Sequence, residues 1–518
     1  MQKEITISLS PEEASNSDIY INYISQFCGL NKSRITHFRL FKRTIDARSV
    51  NIKIHLSFKV FIDEIPAQNS RGKKKYSDIS NKKPVIIIGS GPAGLFAALK
   101  LIESGIRPVI IERGRDVHTR KMDIANINKE HIVNEESNYC FGEGGAGAFS
   151  DGKLYTRSTK RGNVQKILEV LIDHGAIGDI LIDSHPHIGS DKLPKIISNI
   201  RETIVNSGGE YYFGNKVTDI IIENSVIKGV VTNHKDSFYG ESIILATGHS
   251  AKDIYFLLQN KNVMIEAKPF AMGVRVEHPQ QLIDSIQYHK KERGNYLPAA
   301  TYNFVQQLEG RGVFSFCMCP GGIIVPSATN SEQIVLNGMS NSQRNSPYAN
   351  SGIVVTVELN DFFQYNEFGA LAGLHFQSAV EKAAFKAGSK DQIAPAQRMV
   401  DFVENRISGE LPVTSYKPGV VSFALKEILP PFITSRLQKA LKEFNNKMKG
   451  YFTNEAVLLG VESRTSSPVR IPRDKETLEH IQIKNLYPCG EGSGYAGGIV
   501  SSAIDGVRCA EKIAEKIN

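Results

Sequence analysis

An α/β protein built around a parallel sheet is what this 518-residue sequence predicts, and three stretches predict it. The first, "PVIIIGSGPAGLFAALKLIESGIRPVIIERG" from Pro84, reads as strand, glycine-rich turn, helix, turn, strand. The second, "SIILATGHS" at 242–250, is a short apolar strand ending in Ala246-Thr247-Gly248. The third, "NLYPCGEGSGYAGGIVSSAIDGVRCAEKIAEKIN", is a strand, a glycine-rich turn and an amphipathic helix. The run Val85–Ile88 is apolar without alternation, as expected of a strand buried on both faces of a parallel sheet.

The elements follow in order. Residues 1–65 form a small βαββ module. "ITISL" is a strand, and Ser10-Pro11-Glu12-Glu13 opens a helix with Ser at the N-cap, Pro at the first position and Glu at N3. That helix carries Ile19, Ile21, Tyr23 and Ile24, and Gly29 stops it. "ITHFRLFKR" is a second strand. In the third, Ile52, Ile54, Leu56, Phe58, Val60 and Ile62 alternate without a fault, which predicts one buried face. A basic linker occupies 66–83. Residues 84–265 are the first part of a nucleotide-binding domain, 266–455 a mixed substrate or cap domain, and 456–518 the return to the first domain. Helices are expected around 163–175, 192–207, 367–387, 395–406 and 432–449. Short strands cover 210–246, with turns at Asn224-Ser225 and Lys235-Asp236.

The spelling G-x-G-x-x-G occurs three times. In "GSGPAG", Gly89 permits the tight turn, Gly91 admits a pyrophosphate close to the backbone, and Gly94 lets helix and sheet approach. The helix N-terminus then offers free N–H groups and a positive dipole end. Glu112, at the end of the next strand, stands where an acid hydrogen-bonds a ribose hydroxyl. "GSGYAG" (Gly492, Gly494, Gly497) has its strand and helix, but no second strand or acid follows it. It is expected to give a second contact to a ligand held by the first turn. "GEGGAG" (Gly142, Gly144, Gly147) has no buried strand before it, and Ser150-Asp151-Gly152 after it is a turn signal. It is expected to be a loop bordering the same ligand, with Lys153 near the rim.

These stretches together resemble the FAD-binding fold of the glutathione-reductase and p-hydroxybenzoate-hydroxylase type. More narrowly, the sequence resembles the uncharacterised FAD-dependent dehydrogenases, a bacterial family of NAD(P)/FAD-dependent oxidoreductase-like proteins. The closer match lies in "RTIDAR", "GEGGAGAFSDGKL", "ATGHSAKD", "FCMCPGG", "NGMSNSQRNSPYANSG" and "GVESRTSSPVRIPRD". The resemblance implies an FAD/NAD(P)-binding Rossmann-like domain, an inserted mixed α+β substrate or cap domain, and an N-terminal βαββ (ferredoxin-like) domain. It implies an oxidoreductase that transfers hydride through non-covalent FAD on an unidentified small molecule. Residue by residue, it implies that Gly89, Ser90, Gly91, Pro92, Ala93 and Gly94 cradle the pyrophosphate. Glu112 binds the adenosine ribose with Arg113 flanking it, and Val217 lies beside the adenine. Ala246, Thr247 and Gly248 pass beside the cofactor. Gly144, Gly145 and Lys153 border it, Gly490 and Glu491 reach its ribityl or phosphate region, and Gly497, Gly498 and Ile499 face the flavin.

Composition sets the remaining expectations. Hydrophobic content of 41% and charged content of 22% are those of a globular chain with a sizeable core. No apolar run approaches the roughly 20 residues that span a bilayer, and the N-terminus lacks the apolar core of a signal peptide, so a cytoplasmic protein is expected. The net charge of +8 is uneven: residues 1–83 hold 15 Lys/Arg and 8 Asp/Glu. That excess, including Arg71 and Lys73–Lys75, reads as a solvated basic linker or as a handle for an acidic partner or RNA. Six scattered cysteines include no C-x-x-C, and no metal site is expected. Cys317 and Cys319, i and i+2 on a strand, read as two buried thiols or as a redox pair. Lys153, Arg464 and Arg470 are candidates for anchoring an acidic substrate or a nicotinamide phosphate, and His249 for a polar neighbour of the cofactor. The sequence leaves the electron donor open, with NAD(P)H as a transient reductant. The other function classes are an FAD-dependent RNA-modifying enzyme and a non-catalytic FAD-binding scaffold.

Overall fold

A computed structural model describes residues 1–66, 74–156 and 162–518. Arg71, Gly72 and Lys73 of the basic linker lie outside the described residues, whereas Lys74 ion-pairs with Glu103.

The N-terminal module holds β1 (Gln2–Leu9), α1 (Pro11–Ser15), α2 (Tyr20–Cys28), β2 (Ile35–Asp46) and β3 (Lys53–Ile62). Its three strands pair antiparallel in the order β1-β3-β2. This split βαβ arrangement is the first half of a ferredoxin-like fold. Ser10 and Glu13 close the expected capping box. The single helix expected after it is two pieces. Asn16 leaves the helical region at φ −104°, ψ 100° and turns its side chain to cap Asp18 N–H, so the apolar residues from Tyr20 onward start a new helix. Gly29 ends that helix at φ 65°. The module docks through Arg43, which exchanges backbone hydrogen bonds with Ile182 and Ser184 and ion-pairs with Asp179 and Asp183, both at 2.7 Å.

The next region contains β4 (Pro84–Ile88), α3 (Pro92–Glu103), β5 (Arg107–Ile111), α4 (Arg120–Glu130), α5 (Val164–Asp173), α6 (Leu193–Asn206), β6 (Glu210–Tyr212), β7 (Val217–Glu223), β8 (Val226–Thr232), β9 (Ser237–Tyr239), β10 (Ile243–Leu245) and α7 (Lys252–Asn260). β7, β8 and β9 form a separate antiparallel sheet, whose β7–β8 turn puts Asn224 and Ser225 at φ 51° and 61°.

β11 (Glu266–Ala267), β12 (Phe270–Pro279) and α8 (Gln280–Tyr288) follow, then β13 (Val305–Leu308), β14 (Arg311–Cys319), β15 (Gly322–Pro326), β16 (Leu336–Ser340), β17 (Tyr348–Val357) and α9 (Ala372–Ala387). β18 (Ala394–Arg398), α10 (Met399–Val403), β19 (Val420–Ser422), α11 (Pro431–Lys447), β20 (Val457–Glu462), β21 (Val469–Arg470), β22 (Leu486–Pro488) and α12 (Ile499–Ile517) complete the described elements. A parallel sheet in the order β22-β10-β4-β5-β6 joins the chain's last strand to its nucleotide-binding unit. The loops after β4, β10 and β22 therefore leave the same carboxyl edge side by side, the edge where open α/β sheets bind ligands. α12 lies so close to α3 that a Cβ on Gly506 would fall 2.0 Å from Ala93 O.

A seven-stranded sheet, β13-β14-β17-β12-β20-β18-β19, forms the second layer. Two expectations change here. The helix expected over 395–406 is β18 followed by one short helix: Ala394–Arg398 pairs with β19 and β20, and sheet pairing overrides helical propensity. β20 pairs with β12 and β18, so the boundary expected at 456 cuts through the cap sheet. No helix among the described residues is long and apolar enough to cross a membrane.

Candidate active site at the glycine loops

The first glycine turn is shaped by contacts that exclude side chains. Gly89 has φ 97°, and a Cβ there would lie 2.6 Å from Ala246 O; one on Gly94 would lie 2.0 Å from Gly89 O. Gly91 differs: its nearest neighbour to a Cβ is Gly145 Cα at 3.9 Å, so it faces open space. Gly91 is the N-cap of α3 and brings no side-chain cap, and Pro92 at the first position has no N–H, which leaves the N–H groups of Ala93 and Gly94 free for an anion.

Glu112 is buried beneath this turn. It accepts from Ser90 N at 2.9 Å, Ser90 Oγ at 2.7 Å, Gly114 N at 2.9 Å and Gly142 N at 3.1 Å. It therefore ties two glycine turns together, and the donors it holds are the protein's own. Arg113 pairs with Glu136 (2.7 Å) and Asp253 (2.9 Å) and lies over the Phe141 ring at 4.2 Å. Val217 is buried at the start of β7.

The turn at 142–147 packs directly on the first. Gly144 N donates to Ser90 O at 2.9 Å, and a Cβ on Gly145 would fall 3.2 Å from Gly91 Cα. Gly147 touches both flanking helix starts: its Cβ would lie 3.2 Å from Ile499 Cγ1 and 3.5 Å from Pro92 Cγ. Glu143 anchors the turn from below, accepting from Val117 N (2.8 Å) and Arg201 Nε (2.7 Å). One 3-10 turn, Gly145–Gly147, is its regular structure.

The third loop closes the group. Gly492 packs against Gly248, with a Cβ position 2.5 Å from Gly248 O, and Tyr255 Oη donates to Gly492 O at 2.7 Å. Ala246 N donates to Ile88 O at 2.9 Å, setting the Ala246-Thr247-Gly248 segment beside the first turn. Glu491 Oε1 stands 3.3 Å from His249 Nδ1. Gly490 is fixed through its N–H on Asp505, which Arg473 holds at 2.6 and 2.9 Å. Cys489, Asp505 and Cys509 lie within 4.8 Å of one another, but the guanidinium already occupies the carboxylate. Gly497 and Gly498 meet nothing within 4 Å, and Gly498 caps α12 without a side chain. Two uncapped helix N-termini thus border one glycine-lined space.

The cap sheet meets the end of the 142–153 loop. Lys153, at the end of the 142–153 loop, donates through Nζ to Met318 O. β14 loses register between Phe316 and Cys319, which puts Cys317 at φ 44° with its side chain exposed. Two buried strand thiols were one expectation; the bulge turns Cys317 outward and leaves Cys319 buried. Desolvation by the surrounding protein pushes the Cys317 thiol up to about 11, opposed by Lys153 and Arg275. Arg275 Nη2 donates to Cys317 O at 2.8 Å and contacts Cys319 Sγ at 3.6 Å, while Nη1 holds Glu462 at 3.0 Å. Sequence reading passed over Arg275, although a charge inside the apolar run "FAMGVRVE" was a signal. Asp151 pairs with Arg344 at 2.6 Å. Segments from "SDGK", "FCMCPGG", "NSQRN" and "GVESR" therefore meet at one place.

Arg464 is a correction. It was a candidate for anchoring an acidic substrate, but it is buried and bonded to Glu381, Ser250, Thr329 and Gln333. Arg470 stays exposed near Tyr495. A groove of about 810 Å³ along Asp219–Ile222 and a cavity of about 420 Å³ beside Glu277 and His278 lie elsewhere, and neither is lined by a glycine-loop residue.

Three family models match the chain. A domain of unknown function (DUF8436) covers residues 1–61, pyridine nucleotide-disulphide oxidoreductase covers 83–256, and FAD-dependent protein, C-terminal domain-like, covers 269–465. An uncharacterized protein of Clostridium beijerinckii is 41% identical over 508 residues, 94% of each chain. Thiamine thiazole synthase of Aeropyrum pernix is 26% identical over 185 residues, 33% of this chain and 56% of its own. A crystal structure of CtdE in complex with FAD covers 84% of both chains at 11% identity, with a TM-score of 0.33.

Proposed function

Because this chain belongs to one family with the Clostridium beijerinckii protein and matches the FAD-dependent and pyridine nucleotide-disulphide oxidoreductase models, we propose that it transfers hydride between a small-molecule substrate and non-covalently held FAD. The observation that carries the reading is the meeting of two uncapped helix N-termini, α3 and α12, around Gly147. The residues fit a dinucleotide: Gly91, Gly497 and Gly498 leave the space that side chains would fill. Bound there, FAD would supply the two-electron chemistry.

What the chain contributes is placement and charge. Gly91, Pro92, Ala93 and Gly94 would hold the pyrophosphate, and Gly498 and Ile499 would present a positive helix end to the ring system. Glu491 and His249, 3.3 Å apart, would offer polar side chains beside these turns. The Cys317–Cys319 turn with Lys153 forms the wall on which a substrate would rest.

The test is anaerobic titration of the purified flavoprotein with NADH, then NADPH, followed by flavin absorbance. Bleaching by either one supports a pyridine-nucleotide-driven oxidoreductase. Reduction by neither, with a photoreduced flavin that still reoxidises, supports a substrate that is its own donor. Protein that is colourless and takes up no FAD on reconstitution overturns the proposal.

A further inference from the structure

The 142–147 turn is gripped from behind by a cation. Arg120, in the first turn of α4, has no exposed surface. Its Nε donates to Asn138 O at 2.7 Å, and its Nη1 to Glu143 O at 2.8 Å and Gly145 O at 2.9 Å. Its Nη2 is buried without a partner. Of the carboxylates around it, Glu143 pairs with Arg201 and Glu112 accepts four N–H or O–H donors, while Asp123 meets Arg115 at 3.5 Å and Asn134 Nδ2 at 3.1 Å through Oδ1 and keeps Oδ2 buried without a hydrogen-bond partner. They reach Arg120 only through space, and among the described residues Arg120 makes no ion pair. Burial pushes the guanidinium down to about 10, which leaves it charged at neutral pH.

A buried charge without a contact ion pair is expensive, and one held by three carbonyls and the Phe149 ring, 5.1 Å away, leaves room for a compensating anion. The structure shows where one would lie. Gly145, whose carbonyl Arg120 holds, presses its Cα face on Gly91 of the phosphate-type turn, with a Cβ position 3.2 Å from Gly91 Cα. Gly142 also wraps the side chain, its Cβ position 2.6 Å from Arg120 Cδ. Only one peptide thus separates the cation from the turn that opens α3.

We infer that Arg120 is a positioning residue for the dinucleotide diphosphate: it locks the 142–147 turn over Gly91 and supplies the positive charge that offsets the phosphates. The inference rests on the FAD reading above and assigns that site a charge from outside its sequence motif. Three variants test it, Arg120→Lys, Arg120→Gln and Arg120→Met, each as full-length protein. Flavin-free protein is titrated with FAD by flavin fluorescence and with ADP, which carries a diphosphate and no flavin, by calorimetry. Melting temperature is recorded without nucleotide.

Wild type binds both. Arg120→Gln and Arg120→Met weaken FAD and ADP together, about 10- to 100-fold, the size of a hydrogen bond to a charged group. Arg120→Lys, which keeps the charge, recovers part of both affinities and has a steeper salt dependence than Arg120→Gln. If Arg120→Met does not fold, the Lys and Gln pair carries the comparison. Lys and Gln variants equal to each other, or within about threefold of wild type for ADP, overturn the inference and leave Arg120 a purely structural residue. Wild type that binds neither ligand overturns the FAD reading itself.

Discussion

Replacing Arg464 by methionine strips a buried carboxylate of one of its two cations. Glu381 is fully buried, and Arg464 reaches it at 3.0 Å through Nε and 3.2 Å through Nη2. Lys252 donates at 2.9 Å and Ser463 at 2.7 Å. Burial pushes the Glu381 carboxyl up, but Arg464, Lys252 and the hydrogen bonds outweigh it and hold it at about 2, below the ordinary 4.5. That difference is worth about 3 kcal/mol of pH-dependent stability. Arg464→Met also strands partners on Ser250, Thr329 and Gln333, so the expected loss is about 3–5 kcal/mol. Thermal melting by circular dichroism at pH 7 reads this as a fall of about 6–12 °C for an unfolding unit of about 200 residues. The double variant Glu381→Gln/Arg464→Met recovers part of the loss, because no bare carboxylate remains. Melting of Arg464→Met within about 1 °C of wild type would refute the reasoning and return Arg464 to an open site where it could meet a substrate.

Three further outcomes are expected. The Glu381 contribution is fully present above pH 4.5 and lost as pH falls toward 2, so the melting gap between wild type and Glu381→Gln closes across that window. Gly91→Val keeps the fold, since φ at Gly91 is −72° and a Cβ meets nothing closer than 3.9 Å, yet it loses flavin; a purified variant with a full flavin absorbance band contradicts the cradle. Cys317 is alkylated in folded protein before Cys319, at a rate that rises with pH toward about 11; mass mapping that finds Cys319 labelled first removes the outward-facing bulge.

How much was legible varies with the range of the cause. The nucleotide unit from Pro84 to Glu112 was readable because strand, turn, helix and strand follow each other in sequence and each leaves a local mark. The break at Asn16 was missed because a capping side chain competes with helix continuation over two residues, which apolar spacing does not register. β18 was missed for a longer-range reason: its paired residues on β19 and β20 lie up to 63 positions away, and sheet pairing decided what propensity could not.

The sequence by itself determined that there is one complete dinucleotide turn, at Gly89–Gly94, and that the other two G-x-G-x-x-G spellings are not copies of it. Those are local facts of neighbouring residues. Only the tertiary structure decided that all three turns share one wall: β4 and β22 flank β10 in one parallel sheet although some 400 residues separate them along the chain, and the 142–147 turn is tied to the first turn by Gly144 N donating to Ser90 O. It also decided the fate of single charges. Arg464 and Arg120 look alike as letters, yet one is neutralised at contact by Glu381 and the other is buried against three carbonyls. Charge compensation depends on distance through space, and spacing along the chain does not carry it.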